Sequence, residues 1–186
     1  MPSVNFHRLP GLDDELNDIL ETLQLLTALA RASPGEAPSD ENQDDLMRGI
    51  YIVEYTLLNL LTDEDVEGRG SVFYIRKAVV IAFGLYMYLG LREIPRTAIM
   101  LKMMAKRLRT SLEAIQMLGQ LDMLDSSLRL WMASLAVIAA RDREERSVFV
   151  VEVEESSARL GLQSTEEKSE VLKSIVWTEK IGGLER

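Results

Sequence analysis

Cysteine is missing from all 186 residues, and histidine occurs once, as His7. Without thiols the chain has no disulfide, no thiolate metal site and no cysteine nucleophile. A transition-metal site built on one imidazole would need a mostly carboxylate shell, which suits hard cations. A Ser-His-Asp triad would have only His7 to use, and no serine sits in a glycine-flanked nucleophile elbow. No glycine-rich loop is present to cradle a phosphate. The acidic run Asp40-Glu41-Asn42-Gln43-Asp44-Asp45 lacks the glycine and terminal glutamate of a calcium loop. The opening residues MPSVNFHRLP contain no apolar stretch of the kind a secretory signal carries. These absences leave no catalytic, cofactor-binding or metal-binding assignment, and the expectation is a chain that is not an enzyme and needs no cofactor.

What remains is an apolar, acidic chain. Hydrophobic residues make up 47%, and the net charge is −9. That composition is ample for one core and fits a single domain over residues 1–186. The charge is unevenly spread. Residues 1–68 hold 3 basic and 15 acidic side chains, residues 69–110 hold 9 and 1, and residues 111–186 hold 9 and 14. An acidic whole disfavours binding to nucleic acid, which relies on local cationic excess. The basic middle is expected to complement the acidic first third across helix interfaces.

The chain is organised around Val72–Leu91, apolar or glycine at all 14 positions from Ala78 to Leu91. A helix of that kind has no solvent face and has to sit among other helices. Spanning a bilayer takes roughly 20 such residues, and Arg76 and Lys77 interrupt the run, so a membrane span is not expected. Around it the spacing predicts about six further helices, giving an all-α bundle of about seven around a central helix over about 72–92.

Leu12, Leu16, Ile19, Leu23, Leu26 and Ala30 form a stripe at alternating spacings of 4 and 3. Residues 33–43, SPGEAPSDENQ, read as a flexible loop, and residues 1–10 and 180–186 as frayed ends. Leu46, Ile50, Val53, Leu57 and Leu60 define a second helix over 44–61, with Tyr51, Leu58 and Leu61 expected to broaden its buried face. Pro95 ends the central helix. A fourth helix over 96–119 buries Ala98, Leu101, Ala105, Leu108, Leu112 and Ile115. On it Arg96, Lys102, Lys106 and Arg109 are predicted to share a basic face. Its methionines suit a core filler or, less commonly, a pocket lining.

A buried helix over 128–140 comes next, capped by Asp125, Ser126 or Ser127. Another covers 147–160, where the β-branched Val148–Val153 also allows a strand, and it stops at Gly161. Ser164 and Glu167 spell a capping box for a last helix carrying Val171, Leu172, Ile175, Val176 and Trp177. Glu54 and Glu93 lie in apolar surroundings where burial could raise a carboxylate pKa, and pairing with basic residues of the middle third is the favoured reading of both.

Several elements then fall in a recognisable order. Leu130-Trp131 opens an apolar helix closing with Ile138-Ala139-Ala140, and Glu145-Arg146 comes shortly before Phe149. Leu160-Gly161-Leu162, Ser164 with Glu167, and Val171-Leu172 leading to Ile175-Val176-Trp177 complete the run. Upstream, Leu89–Pro95 reads LGLREIP, and Arg48–Leu61 carries Ile52, Glu54, Tyr55 and Leu57-Leu58.

This pattern, from about Arg48 to Trp177, resembles the C-terminal regulatory region of fungal zinc-cluster (Zn2Cys6-type) transcription factors. The family's six-cysteine DNA-binding cluster has no counterpart here. Ser134-Leu135 stands where the family has a small glycine pair, and Val148 where it usually has tryptophan. The chain therefore reads as the regulatory domain alone.

The resemblance implies a transcription-regulator-like, nuclear protein (otherwise cytoplasmic) without direct nucleic-acid or membrane contact. It would act by effector sensing, by inhibition within a longer protein, or by binding a protein partner or a second copy of itself. It also implies a possible hydrophobic small-molecule effector. A pocket for one would lie between the third and fourth helices, lined by Phe83, Tyr86, Met87, Met100, Met103, Met104 and Trp131. The alternative is a stand-alone small-molecule-binding protein or an isomerase- or cyclase-type enzyme, with Glu54 or Glu93 facing an apolar cavity.

Overall fold

The computed structural model describes residues 8–31, 40–62, 70–140 and 143–181, with the side chains of 40–42 outside that description. Among these residues seven α-helices occur in order: α1 (Asp14–Arg31), α2 (Asp40–Thr62), α3 (Ser71–Tyr86), α4 (Ile99–Met117), α5 (Ser126–Ala139), α6 (Arg143–Arg159) and α7 (Thr165–Ile175). A π-helical turn, Met87–Leu91, continues α3, and short 3-10 turns occupy Leu121–Met123 and Glu179–Ile181. No strand occurs among the described residues, so the chain is an all-α bundle.

Helix α3 is the axis. Every residue from Ala78 to Tyr86 is buried, and α1, α2, α4 and α5 pack on it. With its π continuation it runs 21 residues, Ser71–Leu91, long and apolar enough on its own to cross a membrane. Length therefore does not exclude a span, contrary to the expectation from the apolar run. What sets this helix apart is that 67% of its most apolar window is covered by the rest of the chain. The second apolar helix, α5, is at least as enclosed, with 11 of its 14 residues buried, and lies between α3 on one side and α6 and α7 on the other.

The helix ends obey local chemistry. The Asp125 carboxylate accepts from the Ser127 and Leu128 amides and starts α5. Ser164 and Glu167 form a complete capping box on α7. Gly161, at φ +70°, closes α6 with amide bonds from Gly161 to Ala158 and from Leu162 to Ser157. Val148–Val153 is helical. The expected loop over 33–43 gives way from Asp40 onward to the first turn of α2, and the rest of it, up to residue 39, lies outside the described residues.

Two expected frays are partly tied down. Arg8 reaches Glu21, Asp18 and Asp14 at 2.7, 2.8 and 3.1 Å. Ile181 is buried at the other end. Residues 1–7 and 182–186 lie outside the described residues.

The last expected helix ends early. After Ile175 the chain turns extended, and Val176–Thr178 crosses the bundle as a strap. Side-chain donors occupy carbonyls within it and at its two ends: Gln24 donates to the Ile175 oxygen at 2.7 Å, and Trp131 Nε1 donates to the Val176 oxygen at 2.6 Å. Arg31 donates to the Trp177 oxygen, and Arg96 to the Ile181 oxygen. An extended segment has no internal backbone partners, so buried carbonyls need such donors.

Charge is distributed as the composition suggests. Arg76 of α3 pairs with Asp13 and Glu15, and Arg92 pairs with Glu54, so basic residues of the middle segment meet acidic residues of the first third. One prominent ion pair lies elsewhere. Arg129 of α5, 1% exposed, meets Glu152 of α6, which also accepts from Ser156. Removing one partner of such a pair strands the other charge. Glu152→Ala is expected to cost about 3–5 kcal/mol in urea denaturation. The double substitution Arg129→Met with Glu152→Met should recover most of that loss.

Candidate functional site

The C-terminal half of α2, the end of α3 with its π turn, and the first turns of α4 enclose a cleft of about 280 Å³. Leu57, Leu58 and Leu61 form one wall, Gly84, Met87 and Tyr88 the floor, and Met100, Met103 and Met104 the other wall. Glu54 and Arg107 are the charged residues on its lining. Gly84 has a packing reason to be glycine: a Cβ there would sit 2.6 Å from Cε of Met104. The missing side chain lets α4 close on α3 and keeps the cleft floor low.

The polar end is organised by the π turn. Inserting one residue into the helical ladder shifts the register of the residues beyond it. Here that places Tyr88 and Arg92 on the same carboxylate. Tyr88 Oη donates to Glu54 Oε1 at 2.8 Å, and the Arg92 guanidinium donates to Oε2. Arg92 also lies over the Tyr51 ring, 4.8 Å from its centroid, which fixes its orientation. Arg92 Nε is buried and has no hydrogen-bond partner among the described residues.

Burial, aided by the adjacent Glu54 carboxylate, pushes the Tyr88 hydroxyl up to about 12. Tyr88 therefore stays protonated through the neutral range. It donates its O–H hydrogen bond to Glu54 and keeps acceptor capacity on its oxygen.

Of the seven residues predicted to line a pocket, the structure brings four together here: Met87, Met100, Met103 and Met104. Phe83, Tyr86 and Trp131 lie elsewhere, fully buried against one another, with ring centroids 5.9 Å apart for Phe83–Trp131 and 6.1 Å for Tyr86–Trp131. The Tyr86 hydroxyl meets Thr27 Oγ1 at 2.7 Å, and burial pushes it up to about 12.

Three residues of the predicted basic face, Lys102, Lys106 and Arg109, recur at spacings of 4 and 3 along α4 and so share one side of it. Arg96 precedes α4 and is engaged with the Ile181 carbonyl. Arg109 pairs with Glu113 on its own helix at 2.7 Å, Lys102 is half-buried, and Lys106 is exposed. Glu93, at φ +51°, is at the surface and pairs with Lys180 at 2.6 Å.

Sequence reasoning missed the leucine wall of α2, the glycine floor and the role of Arg92. The available signal was Glu54 itself, a carboxylate set in the apolar run IYIVEYTLL. No family model, no curated protein and no solved structure matches the chain.

The two buried tyrosines make stability depend on pH at the alkaline end. Their folded-state values lie above the ordinary value of 10, so the neutral phenols are favoured by the fold. The contribution is complete below about pH 10 and lost as pH rises toward about 12. Urea midpoints are expected to fall across that window. Substituting Tyr86→Phe and Tyr88→Phe together should flatten the fall relative to the unaltered chain.

Proposed function

We propose that this chain is an effector-sensing regulatory domain that takes a small, largely apolar molecule into the cleft between α2, α3 and α4. The observation that carries the reading is the lining: three leucines and four methionines meet a Glu54–Tyr88–Arg92 hydrogen-bonded group at one end. Apolar walls with a few convergent polar atoms are the usual make-up of a small-molecule site. Methionine adds side chains that repack around differing ligands.

The volume of about 280 Å³ sits at the small end of such sites, which run from about 300 Å³ upward. Compact aromatics and isoprenoids fit that volume better than a complete sterol. A ligand hydroxyl or N–H can donate to Tyr88 Oη.

A role in regulating transcription, and nuclear residence with it, is the broader part of the proposal. It is supported by the order of elements between Arg48 and Trp177 that resembles the zinc-cluster regulatory region. On this reading the polar end orients the effector, and no catalytic step is assigned to it. Glu54 has both carboxylate oxygens engaged, which supports that assignment.

The test is thermal denaturation with a panel of sterols, polyketide-like aromatics and shorter isoprenoids. A binder at 100 times its dissociation constant is expected to add about 2.7 kcal/mol, a rise in Tm of about 5–10 °C. Gly84→Ala, whose Cβ drives Cε of Met104 toward the cleft, should reduce that rise. Tyr88→Phe should reduce it for hydroxyl-bearing compounds alone. No shift across the panel would overturn effector sensing at this site.

A further inference from the structure

Four methionines gather at the apolar cleft between α2, α3 and α4, and their sulfur atoms are donors of a kind the rest of the site lacks. The chain has no cysteine, and its one histidine lies outside the described residues. Among the described residues no group of three or more histidine or carboxylate side chains is placed to hold a metal ion. Methionine thioether is the soft donor that such an inventory of ligands leaves out.

Spacing puts three of the four on one side of α4. Met100, Met103 and Met104 stand at i, i+3 and i+4, where Cβ atoms lie about 5–6 Å apart. The fourth comes from the end of α3. A Cβ on Gly84 would sit 2.6 Å from Cε of Met104, so the tip of that side chain rests against the α3 backbone. Met87 follows Gly84 by nearly one helical turn and lines the same cleft. Burial is graded across the cluster: Met87 is 1% exposed, Met100 and Met104 are half-buried, and Met103 is 60% exposed. A sulfur-lined cleft with one open edge admits an ion from solvent.

We infer that this cluster binds a soft monovalent cation of the Cu(I) and Ag(I) type, held by three or four thioethers from α3 and α4. Softness selects the ion. Thioether sulfur favours Cu(I), while magnesium and calcium take oxygen ligands and zinc takes thiolate, imidazole or carboxylate. Charge selects in the same direction. Thioethers are neutral, so a bound ion keeps its charge in apolar surroundings, and a single charge costs less to bury than a double one. Glu54 and Arg107, the charged residues of the lining, are opposite in sign and so do not oppose a cation on balance. Methionine has three rotatable bonds, which lets the sulfurs turn toward an ion while the helices stay in place.

This inference goes beyond effector sensing and does not rest on it, because coordination uses sulfur and not the Tyr88 hydroxyl. An ion seated there and an apolar effector would compete for one cleft.

Titration of the full chain with silver nitrate in chloride-free buffer, read by NMR of isotopically labelled methionine methyl groups, tests the site. The chain has nine methionines, so those outside the cleft serve as internal controls. The expected result is that the methyl signals of Met87, Met100, Met103 and Met104 shift together and saturate near one equivalent. Zinc should leave them in place. Leucine keeps the volume and apolarity of methionine, so the fold survives the exchange without the sulfur. Met103→Leu combined with Met104→Leu should weaken Ag(I) binding more than about tenfold, since losing even an outer partner of a metal site costs about 10–100-fold. Met117→Leu, at an 89% exposed position on the same helix, should leave it unchanged.

Shifts at Met117 and Met123 as large as those in the cleft would mean single exposed thioethers binding Ag(I) one by one, and would overturn the site. So would the absence of a saturable shift, zinc moving the same four signals, or binding that survives the double substitution. Saturation of the four methyls by Ag(I) in a chain that responds to none of the apolar compounds would uphold this site and remove effector sensing alone.

Discussion

A helix with no polar side has to be covered on every side, and α3 imposes that requirement on the whole chain. Nine consecutive residues, Ala78 to Tyr86, lie buried. Burying a large apolar side chain of this type is favourable by about 1.5–3 kcal/mol, so the neighbours gain most by closing around them. Helices α1, α2 and α4 cover three sides with their single apolar stripes. The fourth side goes to α5, which is itself too apolar to face water and needs α6 and α7 outside it. The layered order of the bundle comes from having two such helices rather than one.

The strap after α7 is the second consequence. An extended chain lying on a helical core leaves its carbonyls without helical partners. Gln24, Trp131, Arg31 and Arg96 supply donors from three separated parts of the sequence. The strap thereby joins α1, α5 and the entrance to α4, and it buries Trp177. The opposite side of α3 is closed less completely. There the π turn redirects Tyr88 and Arg92 onto Glu54, and Gly84 lowers the floor, which leaves the methionine- and leucine-walled cleft. The same helix that demands coverage thus has one stretch where coverage is incomplete.

Much of this architecture is legible in spacing. The stripes of α1, α2 and α4, the Asp125 cap, the capping box at Ser164 and the stop at Gly161 all appear where local chemistry puts them. Composition also points to the methionine wall of the cleft, because Met100, Met103 and Met104 lie beside the regular stripe of α4 and widen its apolar side. It cannot separate Phe83, Tyr86 and Trp131 from that wall. Aromatic residues on a helix buried all round have no face that marks which neighbour they touch.

The outward face of α2 departs from expectation for a related reason. Tyr51 and Leu58 are apolar and adjacent to the buried stripe, which suggests a wider buried face, yet α2 leaves both exposed. The π turn and the strap have no local signal at all. A π insertion changes register without changing composition, and Val176-Trp177 continues an apolar pattern that a helix would equally use.

Amide hydrogen exchange along α3 tests the central claim most directly. If α3 is the enclosed axis on which the other helices depend, amides from Val79 to Tyr86 exchange only through global unfolding. Their protection then matches the stability measured by denaturant and falls in step with it. Exchange of those amides through local opening, at rates comparable to the outer helix α6, would contradict the account.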